Sequence, residues 1–313
     1  MIYEFAPMEG VTHYLFRQAH HCLFGGADRY YTPFLSPNAN LTFTTKEENE
    51  INPGHNAGYP TVPQLLTNRA PYFLWAMEEL RQRGYREVNF NLGCPSGTVT
   101  AKGKGAGFLS DPEGLDAFLD DVFSHAGEMK ISVKTRVGRR WEEEWPRLLD
   151  IYNRYPIAEL IVHPRVQTDF YKGEPRWDAF SYAVENSKNP LAYNGNLFTA
   201  EDVAAFARRF PTVDTVMLGR GAVTDPSLFR RCRGGEGLTR QELKTFHDRL
   251  YEGYRTLLSG EKNPIYRMRE LWSYWGGLFV QPEDCLKKIR RAEGHGAYQQ
   301  AVEAIFQHPF VHE

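Results

Sequence analysis

Residues 87–95 read Glu87-Val-Asn-Phe-Asn-Leu-Gly-Cys-Pro95, a short apolar and amide-bearing run that stops at a glycine and then presents a thiol. Seven comparable runs flank it, at 2–7, 29–35, 61–66, 130–136, 159–163, 190–193 and 212–218. Several are almost continuously apolar, as parallel strands covered on both faces should be. Amphipathic helical stretches fall between them, for example at 69–83, 112–125, 145–155 and 200–209. Ser110-Asp-Pro-Glu113 and Thr199-Ala-Glu-Asp202 read as helix starts, a capping hydroxyl followed by early acids. Eight such units in about 230 residues predict an α/β chain folded as a TIM (β/α)8 barrel. The second unit fits least, because residues 36–58 read as a long loop rich in Asn, Thr and Gly. A doubly wound open sheet is the structural alternative, and spacing alone does not exclude it.

Beyond Gly234-Gly-Glu-Gly237 the strand pattern ends, and residues 239–258, 263–278, 282–291 and 296–306 read as helices. The expected organisation is a barrel over 1–237 and a small helical bundle over 238–313, joined by a glycine-rich hinge. Of the 313 residues, 42% are hydrophobic and 24% charged, an ordinary globular balance. Net charge is -2; residues 1–237 hold 26 basic against 29 acidic groups, and 238–313 hold 11 against 10. Any nucleic-acid surface must then be a local patch. No apolar run is long enough for a membrane helix, and the N-terminus lacks a secretory pattern. Cys22, Cys94, Cys232 and Cys285 are widely spaced, with no CxxC pair and no His at metal-ligand spacing. That pattern points to the reducing cytoplasm and argues against disulfides or a metal site.

In a TIM barrel the chemistry gathers at the C-terminal ends of the strands. The runs of this chain end in, or carry, Pro7-Met8-Glu9, Gln64, Asn91 and Cys94, Lys134 and Arg136, His163 and Arg165, Asn194-Gly195-Asn196, and Gly219-Arg220-Gly221. The last two loops have the glycines and the arginine of a barrel phosphate site. No GxGxxG follows the first run, so a Rossmann dinucleotide site has no support. A phosphate-bearing cofactor the size of FMN is the better reading.

Around Cys94 the chain resembles the tRNA-dihydrouridine synthase family. The family's Asn-x-Gly-Cys-Pro core, with a Gly-small pair about ten residues on, is filled by Asn91, Gly93, Cys94, Pro95, Gly105 and Ala106. Ala6-Pro-Met-Glu-Gly-Val-Thr12, Phe16-Arg17, Val133-Lys-Thr-Arg136, His163-x-Arg165, Asn194-Gly195 and Met217-Leu-Gly-Arg-Gly-Ala222, with Pro226 and Phe229, match in order. The resemblance spans about residues 3–230 and is loose beyond. Three positions depart from it: Asn89 where an Asp is usual, Pro164 where a Gly or Ala is common, and Asn196 where an acid is usual.

The resemblance implies reduction of the C5–C6 bond of uridine in tRNA. Reduced FMN, recharged by NADPH or NADH, delivers hydride to C6, and Cys94 protonates C5. A thiol of ordinary pKa about 8.5 is mostly protonated at neutral pH and suits an acid. By the same resemblance Lys134 sits by the flavin's pyrimidine end, Gln64 and His163 contact the flavin, and Pro7, Met8 and Glu9 line its ring. An inward lysine in an apolar barrel is costly without an anion, which agrees with that placement. Asn194, Gly195, Asn196, Gly219 and Arg220 take the phosphate. Asn91 reads the target base, Arg165 serves substrate or phosphate, and Lys102 and Lys104 meet RNA phosphates. In the tail, Lys287-Lys-Ile-Arg-Arg291 and Arg267-Met-Arg269 beside Trp272, Tyr274 and Trp275 suggest tRNA docking, although Trp272 and Trp275 at i,i+3 also suit a helix core. Two rivals stand beside this reading: an FMN-dependent barrel oxidoreductase acting on a free pyrimidine or small enoate, and a non-catalytic flavin- or RNA-binding protein. The tRNA position modified and the oligomeric state stay open.

Overall fold

The computed structural model describes residues 1–311. Among them, nine parallel strands form one sheet: β1 (Ile2–Phe5), β2 (Arg29–Tyr31), β3 (Thr61–Val62), β4 (Gln64–Leu65), β5 (Glu87–Leu92), β6 (Lys130–Arg136), β7 (Leu160–His163), β8 (Leu191–Tyr193) and β9 (Thr215–Leu218). Their order is β3-β2-β1-β9-β8-β7-β6-β5-β4. β3 and β4 are one run of chain interrupted at Pro63, so the two ends of the sheet meet there and the barrel nearly closes. Proline has no N–H to give a ladder, but the Pro63 carbonyl still accepts from the Asn89 N–H at 2.8 Å. The open doubly wound sheet is thereby ruled out in favour of the TIM barrel.

The chain forms two compact units. One holds the whole sheet, with residues 1–7, 28–197 and 205–218; the other takes 8–27, 198–204 and the chain from 219 onward. In the first unit, alternate strand residues face opposite ways. Ala6, Tyr31, Val62, Ile161, Ala192 and Met217 meet inside the barrel. Phe90 faces outward, its ring 5.4 Å from Phe73 and 4.7 Å from Phe118 on the helices Ala70–Gln82 and Pro112–Ser124. At the N-terminal ends of the strands Arg29 reaches Glu4 at 3.1 Å, Glu159 at 3.3 Å and Glu87 at 3.5 Å. The buried Tyr31 hydroxyl donates to Glu4 at 2.9 Å.

In the second unit, helices Tyr14–Leu23, Arg240–Leu257, Lys262–Trp275, Glu283–Arg291 and His295–Ile305 carry the packing. Thr239 and Glu242 form a capping box at the start of the longest. Trp272 and Trp275 are buried, and their indole N–H groups donate to the Tyr298 hydroxyl at 3.0 Å and the Val223 carbonyl at 2.9 Å. These two tryptophans are helix core, whereas Lys287, Lys288, Arg290 and Arg291 are exposed.

Two local expectations need correction. Residues 36–58 are not all loop, because Thr45–Ile51 is helical and starts with a Thr44–Glu47 capping box. The helix at 112 is capped by Asp111, whose carboxylate accepts from the Gly114 N–H at 3.0 Å, and not by Ser110. The Ser110 hydroxyl instead donates back to the Gly107 carbonyl at 2.8 Å.

Candidate active site

The register of the sheet assembles the site in layers. Asn89 pairs with Gln64 on one side and Ser132 on the other, and Asn91 lies beside Lys134. Arg136 lies beside His163. The buried amides join into a chain (their O and N ends assigned from this network). Asn89 Nδ2 donates to Ser132 Oγ at 3.0 Å, Gln64 Nε2 to Asn89 Oδ1 at 2.7 Å, and Asn91 Nδ2 to Gln64 Oε1 at 2.7 Å. Asn91 Oδ1 then accepts from the Gly93 and Cys94 N–H groups at 3.1 and 2.9 Å. Asn91 thus caps the turn that presents the thiol, and one N–H each of Asn91 and Gln64 stays uncommitted among the described residues.

Cys94 is held from its other side by Gly105. The Ala106 N–H donates to the Cys94 carbonyl at 3.1 Å. Gly105 has φ +55°, and a Cβ on it would come 2.9 Å from the Cys94 carbonyl oxygen and 3.0 Å from the Cys94 Cβ. Both the conformation and the close approach require glycine at this position.

Lys134 lies deep among protein atoms yet remains partly reachable by solvent. Its Nζ makes no hydrogen bond or ion pair among the described residues. Burial, and then the Arg136 charge, lower its pKa to about 7, partly opposed by the nearby Cys94. A Cβ on Gly93 would stand 4.0 Å from that ammonium, so the turn before Cys94 lies close over it.

Arg136, which the sequence showed only as a strand residue, is the main brace of this end. Its guanidinium donates to the carbonyls of Gly93 at 2.9 Å, Val166 at 2.9 Å and Phe170 at 2.7 Å. It also lies 5.4 Å from the centre of the exposed Tyr171 ring. Burial lowers its pKa to about 10. Gln167, also missed, donates to the Pro95 carbonyl at 3.1 Å. The available signal for Arg136 was its place two residues after an inward lysine.

Arg165 was expected to contact substrate or phosphate. The structure buries it completely and turns its donors onto protein: Lys172 O at 3.3 Å, His163 Nε2 at 2.9 Å, Asn196 Oδ1 at 3.1 Å, and the Gly173 carbonyl. Asn196 also donates to Glu174 at 3.2 Å, so its side chain serves the same brace. Asn194 is buried and donates to the Met217 carbonyl at 2.7 Å. A Cβ on Gly195 would collide with the Tyr193 hydroxyl, which is buried and has no hydrogen-bond partner among the described residues. Lys102 is exposed, and Lys104 is half-buried with its pKa lowered by burial and by Lys102. Pro7 ends the first segment of the barrel unit, just past β1, whereas Met8, Glu9, Gly219 and Arg220 belong to the other unit. There the Met8 N–H donates to Thr12 Oγ1 at 2.8 Å, and the Arg220 guanidinium lies 5.2 Å from the Phe198 ring centre. Among the described residues no cluster of His, Cys, Asp and Glu could hold a metal ion, and no helix is long and apolar enough to cross a membrane.

The family model for dihydrouridine synthase matches residues 4–270. The chain belongs to the dihydrouridine synthase family. A dihydrouridine synthase is an oxidoreductase, since its product differs from uridine by two hydrogens across C5–C6. tRNA-dihydrouridine synthase B of Shewanella oneidensis is 29% identical over 234 residues, covering 72% of this chain and 69% of that protein. tRNA-dihydrouridine(16) synthase of Ralstonia nicotianae is 28% identical over 235 residues, covering 73% and 72%. Among solved structures, the old yellow enzyme from Trypanosoma cruzi superposes with a TM-score of 0.52 at 11% identity, over 81% of this chain and 93% of that one. At that identity the likeness shows the fold alone, whereas the family match spans the Cys94 turn and the chain on either side of it.

Proposed function

We propose that this dihydrouridine synthase reduces specific uridines in tRNA to 5,6-dihydrouridine, with FMN as its bound cofactor and NADPH or NADH as reductant. One observation carries the reading: Cys94 stands on a turn fixed by Asn91 and Gly105, beside Lys134, which lies deep among protein atoms and has no ionic partner among the described residues. A desolvated ammonium without a counter-ion suits an anionic group, and the reduced isoalloxazine of a flavin is one. When bound, the flavin supplies a hydride for C6 of the uracil.

The chain's own residues do the rest. Lys134 would hold the negative charge of the flavin's pyrimidine end, and Gln64 and His163 would add hydrogen bonds to its edge. Pro7, Met8 and Glu9 would form a wall beside the ring. Asn194, Gly195, Asn196, Gly219 and Arg220 would take the phosphate, Asn196 through its backbone because its side chain is engaged. As hydride reaches C6, enolate-like charge builds toward O4, and Cys94 quenches it: its S–H bond breaks and a C5–H bond forms. The resulting thiolate regains its proton from water. Asn91 keeps one N–H for the uracil edge. The base reaches this depth only by leaving its stack, with Lys102, Lys104 and the exposed Lys287, Lys288, Arg290 and Arg291 of the helical region 238–313 holding phosphates. tRNA as substrate implies a cytoplasmic enzyme. A free pyrimidine or small enoate has only the barrel likeness in its favour.

The test is Cys94→Ala. The variant is expected to bind FMN as the wild type does, while dihydrouridine in unmodified tRNA, mapped by mass spectrometry after incubation with NADPH, forms at least about 100-fold more slowly. Full turnover by the variant removes Cys94 as the acid.

A further inference from the structure

Three consecutive residues, His163-Pro164-Arg165, close on themselves. The Arg165 N–H donates to the His163 carbonyl at 2.7 Å, a three-residue turn with Pro164 at its centre. Proline holds φ near about -65°, close to the roughly -75° that an inverse γ-turn needs. The preceding residue is pushed toward extended backbone, which suits His163 as the last residue of β7. The turn sends the Arg165 side chain back along its own path, and its Nη1 meets His163 Nε2 at 2.9 Å.

A guanidinium has five donors and no acceptor. In that contact the imidazole nitrogen must therefore be the acceptor: Nε2 carries a lone pair, and the ring proton sits on Nδ1. Protonating His163 would break the bond and oppose two buried cations. The charged groups around the ring press the same way. Arg136 is its register partner on β6, with Lys134 two residues earlier on that strand. Tyr171 lies 6.1 Å from the imidazole centre. Of the two acids of this loop, Asp169 is paired with Arg176 and Glu174 accepts from Asn196. Cys94, across β6, couples electrostatically to both Lys134 and Arg136. Arg165 is itself anchored by Lys172 O, Gly173 O and Asn196 Oδ1, so it cannot swing away from the ring.

We infer that Arg165, turned inward by Pro164, is a positioning residue that locks His163 as a neutral imidazole protonated on Nδ1. His163 is then a fixed hydrogen-bond donor at this end of the barrel and takes no part in moving protons. Cys94 is left as the acid of the pair. The positions held by Pro164 and Asn196 work together here: one makes the turn, and the other supplies a neutral acceptor for the arginine.

The experiment reads the ring directly in the full-length protein and does not depend on the flavin or on tRNA. Protein labelled with 15N-histidine is examined by long-range 1H–15N correlation, with His163 assigned by the signal missing from His163→Asn. In the wild type, Nε2 is expected to show the shift of an unprotonated nitrogen and Nδ1 that of a protonated one, unchanged across about pH 5.5 to 8.5. In Arg165→Met the ring is expected to titrate within that range, and Arg165→Lys, which keeps a donor, to restore the wild-type pattern at least in part. Pro164→Gly should give a mixture of tautomers. A wild-type ring that titrates, or that carries its proton on Nε2, overturns the inference without any variant needing to fold. An Arg165→Met ring that stays locked overturns the part given to Arg165. Failure of Cys94→Ala to lose activity would touch neither result.

Discussion

At the N-terminal ends of the strands, one arginine reaches three carboxyl groups; at the C-terminal ends, one lysine reaches none. Arg29 meets Glu4, Glu87 and Glu159 within 3.5 Å, and its pKa rises because Tyr31 and these carboxyl groups together outweigh its burial. Burial, and then the charge of Glu159 beside it, raise the Glu4 pKa well above its ordinary value, against the pull of Arg29. Lys134 also lies deep among protein atoms, though partly reachable by solvent, and the charged groups that act on it are Arg136 and the Cys94 thiol. The lower end pairs its arginine within the protein, although one oxygen each of Glu4 and Glu87 is buried without a hydrogen bond. The upper end carries an unbalanced charge that a bound anion would settle, as expected where a barrel binds and reacts.

Removing one partner from each end should give opposite results. Arg29→Met strands the carboxyl groups and is expected to cost about 3–5 kcal/mol in urea denaturation, while the folded fraction keeps its activity per molecule. A change below about 1 kcal/mol would mean that Arg29 is not what balances the lower cluster. Lys134→Met removes an unpaired ion and is expected to stabilise the cofactor-free protein by about 1–4 kcal/mol at pH 7. The same variant should slow dihydrouridine formation roughly 100-fold or more. Lost stability in that variant would show that Lys134 already has a partner.

The smallest effect is the pH slope. Lys134 has a folded pKa of about 7, below its unfolded value, so unfolding takes up a proton between about pH 7 and 10.5. Stability of the cofactor-free protein should therefore rise through that window, and Lys134→Met should flatten the rise. Glu4 has a raised folded pKa, so unfolding releases its proton. Its contribution is full below about pH 4.5 and is lost as pH rises toward the raised value, and Glu4→Gln should remove that loss. Denaturation midpoints for the three proteins across pH separate the two ends.

Much of this was legible in the chain. The helix Ala200–Arg209 carries its acids early and its apolar face at helical spacing, and it falls where the pattern put it. The helices after Gly237 agree with expectation within a few residues. The helix Thr45–Ile51 was hidden because Lys46-Glu-Glu-Asn-Glu50 has no apolar period; only the Thr44–Glu47 box announced it. The run at 61–66 looked continuous, and the break at Pro63 depends on which neighbour each half joins. In the site, Cys94, Lys134, Gln64 and Asn91 could be found because each stands at or near a strand end. Arg29 with Glu4, Glu87 and Glu159 could not, since its partners lie up to 130 residues away and no local pattern links them. Nor could the inward turn of Arg165, which a sequence shows only as one more basic residue after a strand.

The amide chain beneath Cys94 has a further consequence. Ser132, Asn89, Gln64 and Asn91 hand one hydrogen bond to the next until the last reaches the backbone of the thiol's turn. None of these groups gains or loses a proton in water. The scaffold under the proton donor is thus silent to pH. Acidity can alter the charge on the lysine beside the thiol or on Arg136, which braces Gly93, but it leaves these four side-chain hydrogen bonds unchanged.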